Sequence, residues 1–244
     1  PSLANVARAG QHQIRFKTFS MPEAAVNELL SGVEERFGVT IGYRAHFPEI
    51  EVKVLAKAAA QSDAERLARQ AADEVRSRLS SILFGEGDIT LAQSVGITLR
   101  EQGLKLALAE SCTGGLIGHL LCQQPSSDFF LGGIVCYANA VKESVLGVDP
   151  AVLQAKGAVS AEVATQLALG ARRALAADVA LAVTGIAGPT GGTTEKPVGL
   201  VHYAVATAQG VTTHHTHFPR SRDQIRLHAA YSALWLLRRT LLAQ

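Results

Sequence analysis

Cysteine is scarce in this chain. Cys112, Cys122 and Cys136 are the only three in 244 residues, an odd count with no CxxC spacing. That excludes a disulfide framework and a cysteine-based zinc site, and fits the reduced thiols of a cytoplasmic protein. An excess of one charge is lacking too. The 23 Lys+Arg and 21 Asp+Glu leave a formal net of +2, too balanced to advertise nucleic acid or an anionic membrane as a partner. No apolar run approaches the roughly 20 residues of a membrane helix, and no secretory signal opens the sequence. Walker and GxGxxG fingerprints are missing, so no named nucleotide fold is indicated. The chain opens on Pro1, not Met, which predicts a processed piece of something longer. What is present is 48% hydrophobic and 18% charged, the balance of a globular chain with a real core. The length allows one large domain or two smaller ones.

Residues 1–12 show no clear period and read as a linker or arm. From residue 13 to 87 the pattern is β-α-β-β-α, a small α+β unit. Ile14–Phe19 alternates as a strand. Ser20-Met-Pro-Glu23 reads as a capping box opening a helix that stops at Gly38. Val39–Tyr43 and Glu51–Leu55 read as strands joined through Phe47-Pro48. Ser62-Asp-Ala-Glu65 predicts a second capped helix running to about Phe84. The order is shared with KH-type nucleic-acid-binding domains, but no GxxG loop is present to clamp a backbone. Residues 1–87 also carry 11 Lys+Arg against 11 Asp+Glu, leaving no positive charge to draw phosphates. A spacer or dimerisation module is the expectation for this unit, and nucleic acid is not its expected partner.

Residues 88–244 alternate strands and helices, which predicts an α/β layered fold with an antiparallel pair near its end. Asp88 reads as a cap for the first helix. The organising stretch is Leu106-Ala-Leu-Ala-Glu110-Ser111-Cys112-Thr113-Gly114-Gly115, followed by Leu116–Leu121 at helical spacing. It reads as strand, sharp turn and helix, with Ser111 beside the N–H groups of Thr113, Gly114 and Gly115. Such a turn can hold a nucleophile next to donors for an oxyanion, although for these ten residues alone the plainer reading is that Ser111 or Thr113 caps the helix. Cys112 is a rival nucleophile, with small buried cysteine as the plainer reading.

Tyr137, Asn139 and Lys142 follow the next strand, and Thr184 leads into the loop Gly185-Ile-Ala-Gly188-Pro-Thr-Gly191-Gly192. Three features at the carboxyl ends of strands mark the edge where open α/β sheets bind ligands. Lys142 reads as a first-turn residue of its helix, where the dipole disfavours a cation and lowers its pKa. A neutral amine there could deprotonate Ser111, with Tyr137 relaying the proton or orienting the amine. Asn139 either caps its helix or contacts ligand. The glycine loop offers N–H groups that suit a phosphate. Arg222 and Arg226, one turn apart, either clamp a phosphate or form a solvated face. His202, His214, His215 and His217 lack acidic or cysteine partners at fitting spacing, so no metal is expected.

Taken together, Ala109–Gly115, Gly132–Asn139 with Lys142, Gly157-Ala-Val-Ser160, Thr184–Pro189 and Lys196-Pro-Val-Gly199 closely resemble the CinA family. The resemblance covers essentially all of residues 88–244, and residues 13–87 look like the KH-type middle domain of longer members. It implies a nicotinamide-nucleotide amidohydrolase that converts nicotinamide mononucleotide and water to nicotinate mononucleotide and ammonia, with no cofactor. It also implies catalytic roles for Ser111, Lys142 and Tyr137, and a homodimer. The family's N-terminal molybdopterin-binding-like domain has no counterpart in these residues. Two departures stand out: the usual Pro-Gly-Ser-Ser loop is Pro125-Ser126-Ser127, and Tyr-Ser-Asn is Tyr137-Ala138-Asn139. Substrate contacts are expected from Thr113, Gly114, Gly115, Asn139, Thr184, Gly185, Gly188, Arg222 and Arg226. The competing reading is a non-enzymatic scaffold in competence or damage response, and such a degenerate member should have lost Ser111 or Lys142.

Overall fold

A computed structural model describes residues 10–243. The chain divides into two compact units between Thr90 and Leu91.

The first unit runs β1 (Gly10–Thr18), α1 (Glu23–Leu29), α2 (Val33–Phe37), β2 (Val39–His46), β3 (Glu49–Ala58), α3 (Gln61–Arg78) and β4 (Leu83–Glu86). Its four strands form one antiparallel sheet in the order β2-β3-β1-β4. Alternation along β1 and β3 sends Phe16, Val52, Val54 and Ala56 into a core shared with Val26, Val33, Ala64, Ala68, Ala71 and Val75. Several local expectations are corrected here. The single helix expected over residues 20–37 is two short ones, because Gly32 adopts a left-handed φ of 79°. Neither capping box forms: α1 begins after Pro22 and α3 after Ala60, both without a side-chain cap. The start of α3 is instead tied to β1 by Gln61, whose amide exchanges two hydrogen bonds with the Gln11 backbone at 3.1 and 3.2 Å. The supposed end of α3 is the separate strand β4. Of the arm expected over residues 1–12, residues 10–12 belong to β1 and the rest lie outside the described residues.

The second unit runs α4 (Leu91–Glu101), β5 (Leu106–Glu110), α5 (Leu116–Cys122), β6 (Phe130–Val135), α6 (Asn139–Ser144), α7 (Pro150–Lys156), α8 (Ala161–Ala174), β7 (Val179–Gly185), β8 (Leu200–Thr207), β9 (Gly210–His217) and α9 (Arg222–Leu242). The sheet order is β6-β5-β7-β8-β9. The first three strands are parallel, and β8 and β9 add antiparallel pairs. Asp88 does not cap α4; its carboxylate takes a 2.8 Å hydrogen bond from Arg15.

The pleat sorts residues by size. Ala107, Ala109, Ala180, Ala182, Ala204 and Ala206 face α8 and pack with Val163, Ala164, Leu167 and Ala168. Small side chains on three adjacent strands let that helix lie close to the sheet. Leu106, Leu108 and Glu110 alternate to the other face, where Leu108 and Glu110 meet Gly118 of α5. Burying each large aliphatic side chain in these layers contributes about 1.5–3 kcal/mol. The parallel pairing of β6, β5 and β7 brings their carboxyl ends to a single edge. No helix among the described residues is long and apolar enough to cross a membrane.

Candidate active site

Ser111 stands at that edge. Its own N–H still donates to the Val183 carbonyl of β7 at 3.0 Å, so it is fixed to the sheet. The chain then reverses through Gly114 and Gly115 at φ 61° and 93°, values an L side chain adopts only with strain. This pair turns the strand into α5. Ser111 is 8% exposed, and its hydroxyl finds no hydrogen-bond partner among the described residues.

The donors beside it are distributed differently from expectation. The Gly114 N–H closes the turn onto the Ser111 carbonyl at 3.1 Å. The Gly115 N–H donates to Glu110 Oε2 at 3.0 Å. Both are therefore engaged before any ligand arrives, which corrects their assignment as oxyanion donors. The N–H groups of Cys112 and Thr113 donate no hydrogen bond to another residue among the described residues. The buried Cys112 thiol is pushed up to about 12, chiefly by desolvation, and so supplies no thiolate for attack. Thr113 Oγ1 is the one side-chain oxygen or nitrogen among the described residues that is fully buried without a partner.

Lys142 lies 1% exposed, an unusual burial for an ammonium-bearing side chain. Its Nζ donates to the Tyr137 carbonyl at 3.1 Å, and no carboxylate within ion-pair distance of it is found among the described residues. Desolvation lowers its pKa, while Cys136, Cys112 and Tyr137 act weakly in the opposite sense. The lowering matches the sequence expectation, but the cause differs. α6 has six residues and Lys142 falls in its last turn, so burial and not the helix start favours the neutral amine. No direct hydrogen bond joins Lys142 to Ser111; Cys112, the neighbour of Ser111, is within electrostatic reach of the amine.

Tyr137 meets the lysine through its carbonyl oxygen, not its hydroxyl. The ring is 60% exposed, and its hydroxyl accepts a 2.9 Å hydrogen bond from Arg222. A proton relay through the phenol is thus not the arrangement found. Asn139 is exposed as the first residue of α6, whose cap position is Ala138, so it does not cap the helix.

The last helix gathers these parts. Arg222 reaches both the Tyr137 hydroxyl and the Gly188 carbonyl, the latter at 2.6 Å. Arg226, one turn on, donates to the Thr113 carbonyl at 2.9 Å. Two guanidinium groups therefore hang over the ends of β5, β6 and β7. The Gly185–Gly192 loop meets the first of them at the Gly188 carbonyl. A Cβ at Gly188 would come within 2.6 Å of Val198, and its φ of 72° also excludes a side chain. The amides of Gly188, Gly191 and Gly192 donate no hydrogen bond among the described residues. Gly185 packs against Val201, where a Cβ would lie 2.7 Å from a methyl group. Thr184 is not free to touch a ligand: it is 1% exposed and its hydroxyl donates to the Ala158 carbonyl at 2.8 Å. That bond and Lys196, whose Nζ donates to the Val159 carbonyl at 2.7 Å and to that of Lys156, hold the 157–160 segment in place.

His202 and His215 stack with ring centroids 5.5 Å apart, and His214 stacks on Tyr203. No group of three His, Cys, Asp or Glu able to hold a metal ion occurs among the described residues. Sequence reasoning missed Glu110 and Lys196 as parts of the site. An acidic residue closing a wholly apolar strand was the available signal for the first.

Comparison with known proteins adds an independent line. Residues 88–241 match the model of the CinA C-terminal domain, and residues 13–85 that of the damage-inducible protein CinA KH domain. The CinA-like protein of Geotalea uraniireducens is 44% identical over 230 residues, 93% of this chain and 55% of its own length. That of Geobacter sulfurreducens is 46% identical over 228 residues, 92% of this chain and 55% of its own. The chain thus spans about half the length of the curated relatives it matches. Among solved structures, the competence/damage inducible protein CihA from Agrobacterium tumefaciens is 42% identical, with a TM-score of 0.60 over 62% of this chain and 93% of that one. A CinA superfamily protein from Klebsiella pneumoniae is 30% identical, with a TM-score of 0.61 over 63% of this chain and 97% of that one.

Proposed function

The chain belongs to the CinA family, and on that premise we propose that its second unit is an amidohydrolase acting on the carboxamide of nicotinamide mononucleotide. The observation that carries the reading is Lys142: a lysine 1% exposed, with a lowered pKa and one carbonyl partner, beside a turn that presents a serine hydroxyl. A structural lysine would be paired or solvated. A poised amine near a nucleophile is instead what acyl transfer needs.

In this mechanism the neutral Lys142 amine takes the Ser111 proton as Oγ attacks the carboxamide carbon. The pyridinium ring withdraws electrons from that carbon and makes it electrophilic. The Thr113 and Cys112 N–H groups, which donate to no other residue among those described, stabilise the oxyanion. The resulting lysine ammonium returns its proton to the leaving nitrogen, and ammonia departs. Water then hydrolyses the acyl-serine with Lys142 again as base, giving the carboxylate. Arg222, Arg226 and the amides of Gly188, Gly191 and Gly192 hold the 5′-phosphate, and exposed Asn139 contacts the ribose side. Thr184 and Gly185 shape the pocket without donating to it. Catalytic hydrogen bonds often tighten only when substrate is bound, so the missing Ser111–Lys142 contact is compatible with these roles.

The test is ammonia release from nicotinamide mononucleotide by the purified chain and by Ser111→Ala. Release that the variant abolishes supports the reading. Full release by Ser111→Ala refutes the nucleophile, and no release by either protein refutes the substrate.

A further inference from the structure

The nucleophile turn contains a buried carboxylate that the proposed reaction does not use. Glu110 is 2% exposed at the end of β5, directly before Ser111. Its Oε2 accepts from the Gly115 and Ile117 N–H groups at 3.0 Å each, and its Oε1 accepts from Gly118 at 2.8 Å. Its backbone is pinned as well, since the Cys136 N–H donates to the Glu110 carbonyl at 2.9 Å. No ion pair to Glu110 is found among the described residues, so the first amides of α5 are what balance its charge.

This arrangement excludes two roles and leaves a third. Glu110 is not a general base, because its oxygens are committed to three amides on the α5 face of the sheet. It is not a plain helix cap, because the position before α5 is the left-handed Gly115, five residues further on. The carboxylate instead spans the whole loop from β5 to the first turn of α5. The Val183 carbonyl holds only the Ser111 N–H, and the two glycines that follow have the widest conformational freedom of any residue, so without a tether the turn that shapes the surroundings of the Ser111 hydroxyl would share it. We propose that Glu110 is a positioning residue: its carboxylate staples the Ser111–Gly118 turn shut and so fixes the Ser111 hydroxyl for attack. This rests on the nucleophile role proposed for Ser111. It also explains why the start of α5 is closed to substrate anions, which are left to the arginines and the glycine loop.

The test uses the full chain with Glu110→Ala and Glu110→Gln. Ser111 is labelled with a fluorophosphonate and the rate read by mass spectrometry, alongside kcat and KM for ammonia release and a circular-dichroism melt. A hydroxyl displaced by about an ångström costs roughly 10²-fold, so the Ala variant should label and turn over about that much more slowly with KM unchanged. The Gln variant, which keeps one good acceptor, should fall between. Formate, a small carboxylate that fits where the side chain was removed, should restore part of the labelling rate in Glu110→Ala, and chloride should not. A folded Ala variant that labels at the wild-type rate overturns the proposal. So does a loss confined to KM, or one that formate leaves untouched. If the Ala variant does not fold, the Gln variant decides on labelling rate and the kcat–KM split. If wild type labels at Ser111 in this pattern but releases no ammonia, the substrate reading falls and the positioning role stands. If wild type is not labelled at Ser111, the positioning role falls.

Discussion

Replacing Lys142 with methionine should stabilise the second unit while destroying activity. The side chain is 1% exposed and makes one hydrogen bond, to the Tyr137 carbonyl at 3.1 Å. That bond contributes about 1 kcal/mol. Against it, an amine buried without its full set of partners costs about 1–3 kcal/mol. Methionine fills nearly the same volume without the polar head, so Lys142→Met should gain about 1 kcal/mol near neutral pH. With a urea slope of about 2 kcal/mol/M, the midpoint should rise by roughly 0.5 M. The sign with pH follows from linkage. Burial holds the folded-state pKa of Lys142 below its unfolded value, so between the two the unfolded chain binds the extra proton. Wild-type stability therefore rises with pH across that window. The advantage of methionine is greatest below the folded pKa and shrinks as pH climbs toward the free value of about 10.4. Trp235, the only tryptophan in the chain and 7% exposed in α9, reports this unit's transition by fluorescence. A Met variant less stable than wild type near neutral pH would refute the reasoning, as would a gap that stays constant through the free lysine value of about 10.4.

Three further outcomes are expected. Arg222→Ala, which cuts the links to the Tyr137 hydroxyl and the Gly188 carbonyl, should raise KM for nicotinamide mononucleotide about 10–100-fold. KM for the phosphate-free nucleoside should change little, and equal losses for both compounds would argue against a phosphate contact. Thr113→Val removes a fully buried hydroxyl that has no partner, so it should stabilise by about 1 kcal/mol; a lower urea midpoint would contradict the burial argument. Iodoacetamide at mildly alkaline pH should modify exposed Cys122 and spare Cys112, whose thiol stays protonated below about 12. Peptide mapping that found Cys112 modified first would overturn that assignment.

The legible parts of this molecule are those where pattern and punctuation agree. The apolar run of β5, its abrupt polar end and the two glycines predict the strand, the turn and the site of Ser111 from ten consecutive residues. The strand ends before Tyr137 and Gly185 bring the other loops to the same edge by the same logic. Short elements were harder to read. α7 has seven residues, too few for a period, and β4 follows α3 with no glycine or proline to announce the break. Capping boxes misled because Ser20 and Ser62 satisfy the spacing while Pro22 and Gln61 set where the helices begin. Long-range contacts leave no local trace at all: Arg226 and Thr113 are 113 positions apart, and Arg222 and Tyr137 are 85. The engagement of Gly115 by Glu110 spans only five residues, but nothing in the pattern separates a stapling carboxylate from a polar strand end.

The place of α9 in chain order has a consequence for biosynthesis. Ser111, Lys142 and the glycine loop all leave the ribosome before Arg222 and Arg226. The alanine-lined face packs against α8, whereas α9 contacts β7, β8, α4 and α5. On the roles proposed above for Ser111, Lys142 and the two arginines, the nascent chain in the interval before α9 emerges would hold a nucleophile and a base but no cationic clamp. A nascent chain halted before α9 emerges should therefore carry a reactive Ser111 and bind no phosphorylated substrate, so chemistry becomes coupled to substrate choice only when the last helix docks.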